Sequence, residues 1–301
     1  VNIDPHTAQI TVSNGALPTM KDGIPFQVKK VNVEINRHEF SFNPTSCDPM
    51  SVNGTLSSTQ GMISQQAYHF QVTNCAALAF NPTFKVSTSG KTSRANGASL
   101  DAKLSFPSTP QGTEANIAKV KVELPKRLPS RLTTLQKACP AAVFEANPAS
   151  CPAASTVGIA KAVTPILPVP LMGPAIFVSH GGEAFPSLII VLQGYGVTVD
   201  LVGTTFISKA GITSSTFKTV PDVPVGTFEL YLPEGKDSAL AANGNLCTGK
   251  QLTMPTEFLS QDNTVIHQST KIAVTGCPKA KKARKASRRR GSHSPAVRRR
   301  P

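Results

Sequence analysis

The chain contains no tryptophan, only three tyrosines and few charged residues, which make up 16% of its 301 residues. Sugar-binding surfaces usually present exposed aromatic faces, so the scarcity of Trp and Tyr argues against a carbohydrate platform. Low charge together with 21 Gly and 25 Pro is typical of an extracellular, β-rich protein with many turns. The most apolar stretch, residues 163–178, contains four prolines, so we expect no transmembrane segment.

Acidic residues are absent from the last 23 residues, 279–301, which hold 11 of the 31 Lys and Arg. The other 278 residues carry 20 basic and 17 acidic side chains, a net charge of +3, so most of the formal +14 belongs to this tail. We expect the tail to be disordered and to bind polyanions by counterion release, with anionic cell-wall polymers or lipid headgroups as partners and nucleic acid as a less favoured one. The polyanion-binding candidates are Lys279, Lys281, Lys282, Arg284, Lys285, Arg288, Arg289, Arg290, Arg298, Arg299 and Arg300.

The six cysteines form no C-x-x-C motif and have no His at zinc-ligand spacing, which argues against a metal or thioredoxin-like site. We interpret them as disulfide candidates, and we expect sequential pairing because each successive pair brackets one local segment. A disulfide framework indicates a secreted or cell-envelope location. Since residue 1 is Val and no leader sequence is present, we expect a removed signal peptide or a chain that begins within a longer protein. The disulfide candidates are Cys47, Cys75, Cys139, Cys151, Cys247 and Cys277.

Two segments share a series of landmarks in the same order. One begins with Val1-Asn-Ile-Asp4 and ends with Phe70-Gln-Val-Thr-Asn-Cys75; the other begins with Val197-Thr-Val-Asp200 and ends with Ile272-Ala-Val-Thr-Gly-Cys277. We therefore interpret residues 197–278 as a second copy of the 1–80 pattern. Because the β-rich segment before the second copy has no counterpart before the first, we expect residues 1–80 to be the C-terminal half of a repeat unit in a longer tandem array.

Alternating and β-branched runs between Pro, Gly and Asn turns predict an all-β protein. We expect tandem Ig-like β-sandwich units, with a half unit at 1–80, a complete unit at 81–278 and a tail at 279–301. A strand is predicted at 27–35, among others. The best helix candidate is 129–139, with Ser130 as N-cap and Leu132, Leu135 and Cys139 on one face, and a second helical turn is predicted at 238–242.

Several motifs occur together in one order. They include Leu-Gln-Lys-Ala-Cys ending at Cys139, Asn147-Pro-Ala-Ser-Cys-Pro152, Thr219-Val-Pro-Asp-Val-Pro224 and Leu240-Ala-Ala-Asn-Gly-Asn-Leu-Cys247. Over about residues 1–280 the chain resembles a family of large, repetitive secreted proteins of soil actinobacteria, whose members tend to end in Lys/Arg-rich tails. The resemblance implies export and a surface or wall context, and it implies no activity.

Segments that resemble catalytic or metal-binding motifs lack the other residues that those motifs require. Residues 179–182, Ser-His-Gly-Gly, are similar to the oxyanion loop of esterases, but the chain has no G-x-S-x-G nucleophile motif. We interpret these glycines as a hairpin turn. His38-Glu39, His69 and His267 are isolated, and no calcium-loop pattern occurs. We therefore predict no catalytic residue, no cofactor, no metal site and no enzyme activity.

The sequence favours a non-enzymatic, exported cell-envelope protein, either structural or adhesion-type, held to anionic wall polymers partly by its basic tail. Two other functions stay open. A cytosolic nucleic-acid-associated protein would bind through the same tail and contain reduced cysteines. A secreted carbohydrate-binding or carbohydrate-active module could use carboxylates that come together only in space. The sequence does not set the oligomeric state.

Overall fold

A computed structural model describes residues 1–6, 9–34, 36, 42–110 and 112–278. The polybasic residues 279–301, with all eleven polyanion-binding candidates, lie outside the described residues, and so do His38 and Glu39.

The first described strands form three two-stranded antiparallel ribbons. Strand β1 (Asn2–Ile3) pairs with β2 (Ile10–Thr11), β3 (Met20–Lys21) with β4 (Ile24–Pro25), and β5 (Met50–Ser57) with β6 (Ile63–Phe70). Side chains of all six strands are exposed on both faces. These ribbons therefore have no core of their own.

The strands that follow close into one barrel, except for β10, which pairs with β12 beside it. Hydrogen bonding runs around the barrel in the order β7, β18, β17, β9, β15, β14, β13, β12, β11, β16, β8 and back to β7. Two short α-helices lie between β9 and β11. The bounds are β7 (Thr83–Ser89), β8 (Leu100–Ser105), β9 (Ile117–Glu123), α1 (Leu132–Leu135), β10 (Cys139–Pro140), α2 (Ala141–Ala146), β11 (Thr156–Val163), β12 (Leu171–Ser179), β13 (Ser187–Gly194), β14 (Val197–Ile207), β15 (Thr213–Phe217), β16 (Thr227–Leu232), β17 (Thr253–Ser260) and β18 (Val265–Thr275).

The barrel closes where its first strand meets its last. Neighbouring strands around it are antiparallel except β7 and β18, which are parallel, with Val86 opposite Ile272 and Ser89 opposite Thr275. A closed ring with an odd number of strands cannot alternate direction at every step, so one parallel pair is the smallest number that eleven strands allow. Closure gives every strand of the ring a partner on both sides, so the ring has no unpaired strand edge at which another chain could add.

Alternation along the strands places one row of side chains inside the barrel. On β17, Met254, Thr256 and Phe258 are buried while Pro255 and Glu257 are more exposed. Strand β13 departs from this pattern, since residues 188–192 are buried on both faces. Its outer face lies under α2, where Phe144 belongs to a cluster with side chains of β12 and β13.

The prediction of an all-β protein with short helices is confirmed, and the prediction of tandem Ig-like sandwich units is wrong. A sandwich and a barrel both bury one face of each strand, so both produce the same alternating sequence pattern. The distinction depends on whether the sheet closes on itself, here through β7 and β18, which are nearly 200 residues apart in the chain.

The helix predictions fail in their details. Ser130 lies in a β-bridge with Leu240, so its backbone is extended and α1 starts two residues later, capped at Arg131 without a side-chain hydrogen bond. Leu132 is exposed, whereas Leu135 and Cys139 are buried, the latter in β10. Residues 238–242 are not helical, because Leu240 also bridges Ala98. The strand predicted at 27–35 is not formed in its described residues, 27–34.

The disulfide framework expected from the sequence is present, with Cys47–Cys75, Cys139–Cys151 and Cys247–Cys277 joined. Three disulfides are typical of a non-reducing, extracellular environment. Cys139–Cys151 ties down the segment with α2 that covers the outer face of the barrel. In the described ranges, no helix is both long and apolar enough to cross a membrane.

We expect Gly90→Ala to destabilise the closure of the barrel. Gly90 follows β7 and donates its N–H to the Thr275 carbonyl at 2.7 Å, and a Cβ on it would collide with Cys247 Sγ. Such overpacking costs about 1–3 kcal/mol. Gly226→Ala is the matched control, because its Cβ would lie 3.5 Å from the Val163 carbonyl, an ordinary contact. Thermal unfolding measures both variants, and equal melting temperatures would contradict this account of the closure.

Candidate functional site

The strongest polar cluster of the described residues joins the first ribbons to the barrel. Its centre is the Asp222 carboxylate, in the loop between β15 and β16. Oδ2 accepts hydrogen bonds from the backbone N–H groups of Thr45 and Ser46, at 2.8 and 3.0 Å. Oδ1 accepts from the Thr45 hydroxyl at 2.6 Å and from Asn116 Nδ2 at 2.8 Å. We call this network of Thr45, Ser46, Asn116 and Asp222 the junction.

Local structure positions each partner of the junction. Thr45 is buried and lies two residues before Cys47, which the disulfide to Cys75 holds. Asn116 lies just before β9, and its backbone N–H donates to the Thr45 hydroxyl at 3.0 Å. The Asp222 carboxylate pairs with all four donors, including those of the buried Thr45 and Asn116, so the junction fixes the 44–47 loop on the end of the barrel.

A second contact between the two parts lies at the other end of the first segment. The Thr198 N–H, at the start of β14, donates to the Pro5 carbonyl at 2.9 Å. Partial desolvation raises the pKa of Asp200 on the same strand, and the charge of the nearby His6 works in the opposite direction. Residues 1–75 therefore contact the barrel at Pro5 as well as at the junction.

A cleft of about 890 Å³ opens beside the junction. It lies between residues 42–45, residues 72–75 and the barrel loops at 106–110, 112–116 and 224–227, and Glu114 contributes a charged side chain to its lining. Its size falls in the usual range for small-ligand sites. The lining combines Phe42 and Phe106 with hydroxyl and amide groups, a mixture suited to a neutral, polar ligand.

The barrel interior holds a smaller cavity of about 210 Å³. Its lining is almost wholly apolar and includes Phe84 of β7, Val122 of β9, and Leu188 and Leu192 of β13. The Thr205 hydroxyl is buried there without a hydrogen-bond partner among the described residues. An apolar space of this size lacks the donors and acceptors that a sugar or a charged substrate requires.

The Ser-His-Gly-Gly segment forms the connection between β12 and β13. Gly181 and Gly182 have φ of 79° and 87°, and the His180 N–H donates to Glu183 Oε1 at 2.8 Å. The pKa of Glu183 is lowered by its own backbone N–H and by the Ser179 hydroxyl. The polar groups of this segment thus hydrogen-bond to one another within a local turn, as we interpreted it from the sequence.

The two described histidines of those that we predicted to be isolated lie on different strands. His69 lies on β6 and His267 on β18, where His267 Nδ1 is 3.9 Å from Glu257 Oε2. No group of three or more potential metal ligands occurs within residues 1–278 wherever the structure describes them. The junction was not predicted from the sequence. Asp222 does lie in one of the motifs that carry the family resemblance, but that motif gives no indication of its contacts.

Comparison with known proteins found no matching family model, curated protein or solved structure. The resemblance to secreted actinobacterial repeat proteins therefore stays a prediction.

We expect Asp222→Ala to loosen the first segment from the barrel. The substitution leaves the Thr45 hydroxyl, the Asn116 amide and two backbone N–H groups without their acceptor, at a local cost of about 1–3 kcal/mol for each of these groups that is buried. Hydrogen exchange at Thr45 and Ser46 should accelerate, while amides of β13 keep their protection. Asp101→Ala, at an exposed position on β8, is the control and should change neither. Unchanged exchange at residues 45 and 46 in the Asp222 variant would show that other contacts hold the two parts together.

Proposed function

We propose that the protein is a non-enzymatic, exported structural or adhesion-type repeat protein of the cell envelope. Its disulfide-bonded β-units would act as a spacer or adhesive layer, and its Lys/Arg tail, 279–301, would hold it to anionic wall polymers or lipid headgroups. Export is supported by the three disulfides, since a reducing cytosol does not maintain such a framework.

The observation that carries the proposal is the junction. Asp222 collects four hydrogen bonds from the loop of one segment and from the barrel of the next. Neighbouring domains joined only by a linker move independently by default. A spacer instead needs a set angle between consecutive units, and a partly buried carboxylate that accepts four hydrogen bonds between them supplies one.

A second candidate, carbohydrate binding, is favoured by the cleft beside the junction. Asn43, Thr73 and Asn74 line it with polar groups, and Phe42 supplies an exposed ring. Sugars are bound by this combination of hydrogen-bonding groups and an aromatic face. Titration with wall-derived oligosaccharides, with Phe42→Ala as the comparison, separates this function from a purely structural one.

Export is tested by thiol trapping in the native cells. We expect no alkylatable cysteine before reduction and six after it, because all six are disulfide-bonded. The measurement is the mass shift of the alkylated protein, with a cytosolic protein as the control for complete alkylation. Six free thiols before reduction would reject the envelope location and favour the nucleic-acid-associated alternative.

Deletion of residues 279–301 should weaken binding to isolated cell walls at low salt without changing the melting temperature. Polycation binding depends on counterion release, so the difference from the full chain should vanish as the salt concentration rises. A chain with the eleven Lys and Arg of the tail replaced by Gln separates charge from length and should behave like the deletion. Equal retention of all three proteins at low salt would reject the tail as an anchor.

A further inference from the structure

The exposed hairpin β5–β6 repeats the barrel hairpin β17–β18 residue for residue. Adding 202 to a residue number in the first hairpin gives its counterpart in the second: the pair Val52–Tyr68 becomes Met254–Thr270, and Ser57–Ile63 becomes Leu259–Val265. The hairpins therefore share one register, although one lies in a closed barrel and the other in solvent.

The connecting turns are also the same. The Ser58 hydroxyl accepts from the Met62 N–H at 3.0 Å, and the Ser260 hydroxyl accepts from the Thr264 N–H at 2.9 Å. Each turn has a residue with positive φ before its last position, Gly61 at 82° and Asn263 at 70°. Identical turns fix identical registers.

The two hairpins end alike as well. Asn74 and Gly276, which are counterparts, have φ of 68° and 70°, and each precedes the second cysteine of a disulfide. Two hairpins with the same register, the same turn and a disulfide just after the second strand are suited to the same position in a barrel.

Their surroundings nevertheless differ. In the barrel hairpin Met254, Phe258 and Ile272 are at most 1% exposed. Their counterparts Val52, Leu56 and Phe70 are 63%, 62% and 39% exposed. Apolar side chains at inward-facing positions of this hairpin thus lie in water, where they lose the burial energy that holds β17 and β18 in place.

The edges of the exposed hairpin are open too. In the barrel, β17 pairs with β9 and β18 pairs with β7. Within the described part of the chain, β5 and β6 pair only with each other. Residues 26–30, which correspond to residues 228–232 of β16, form no strand, and Phe26 and Val28 are 38% and 39% exposed. Strand β16 forms between β8 and β11, so its counterpart lacks the neighbours that would order it.

We propose that residues 1–75 are the second half of a barrel and bind a polypeptide half-barrel with the strand pattern of β7 to β13. The partner's counterpart of β9 pairs with β5, and its counterpart of β7 pairs in parallel with β6. By the register of the complete barrel, Leu56 then lies opposite the partner's equivalent of Val120, and Phe70 opposite the equivalent of Val86.

The folded barrel of a second copy does not fit this surface. Its own β7 and β9 are already paired with β18 and β17, so it would have to open before it could accept β5 and β6. The required occupant is a half-barrel whose corresponding edges are free. This inference concerns a surface distinct from the tail and does not depend on the envelope role.

The experiment extends the full 301-residue chain at its N-terminus with a second copy of its own residues 79–196. Gly196 is followed by Val197 in the chain, and Val1 corresponds to Val197, so direct fusion of Gly196 to Val1 reproduces the native connection without a linker. Hydrogen exchange of peptides from 50–70 is compared between the original and the extended chain. We expect exchange to slow by at least about tenfold on extension, because these strands gain partners on both edges.

Two variants of the extended chain make the test specific. Leu56→Asp puts a charge on the inward face and should abolish the added protection. Thr55→Glu is the outward-facing control, since its counterpart Glu257 lies 2.7 Å from Lys119 in the barrel, and it should keep the protection.

Equal exchange of 50–70 in the original and the extended chain would overturn the proposal. Self-association of the original chain with protection of 50–70, measured by sedimentation, would overturn it in favour of a second copy as the occupant. Protection of β17 and β18 in every protein reports that the native barrel stays folded.

Discussion

The parallel pairing of β7 with β18 is the interaction on which the rest of the structure depends. It joins the first and last strands of the unit, and without it the sheet would have two long open edges. The Cys247–Cys277 disulfide lies against this seam, where Gly90 leaves room for its sulfur atoms. Because closure also encloses the apolar faces of the other strands, the core of the barrel forms only if the two ends of the unit meet.

The same requirement explains why residues 1–75 differ so much from residues 197–278. Both segments carry the hairpin, its turn and a disulfide after its second strand, but among the described residues only the second has strands beside it with which to close a ring. The first is held to the barrel through Asp222 and through Pro5, while its apolar side chains remain in water. Among the described residues, the molecule thus combines a closed barrel, a hydrogen-bonded junction and a hairpin with open edges.

Several features were predictable because they depend on neighbours in the sequence. Alternating and β-branched runs between turns indicated strands, and the order of the cysteines indicated three disulfides between successive cysteines. The sandwich prediction and the N-cap at Ser130 were wrong because both depend on distant partners, β18 for the closure and Leu240 for the backbone of Ser130. The junction was missed for the same reason, since Thr45 and Asp222 are 177 residues apart.

By itself the sequence determined the β-rich character, the cysteines available for disulfides and the concentration of Lys and Arg in 279–301. Tertiary structure decided that the sheet closes into a barrel, that Asp222 joins the two parts, and that Val52 lies in water while Met254 is buried. The physical reason is that side-chain alternation is a local property of a strand. Burial and hydrogen-bond pairing instead depend on which other strands are present beside it.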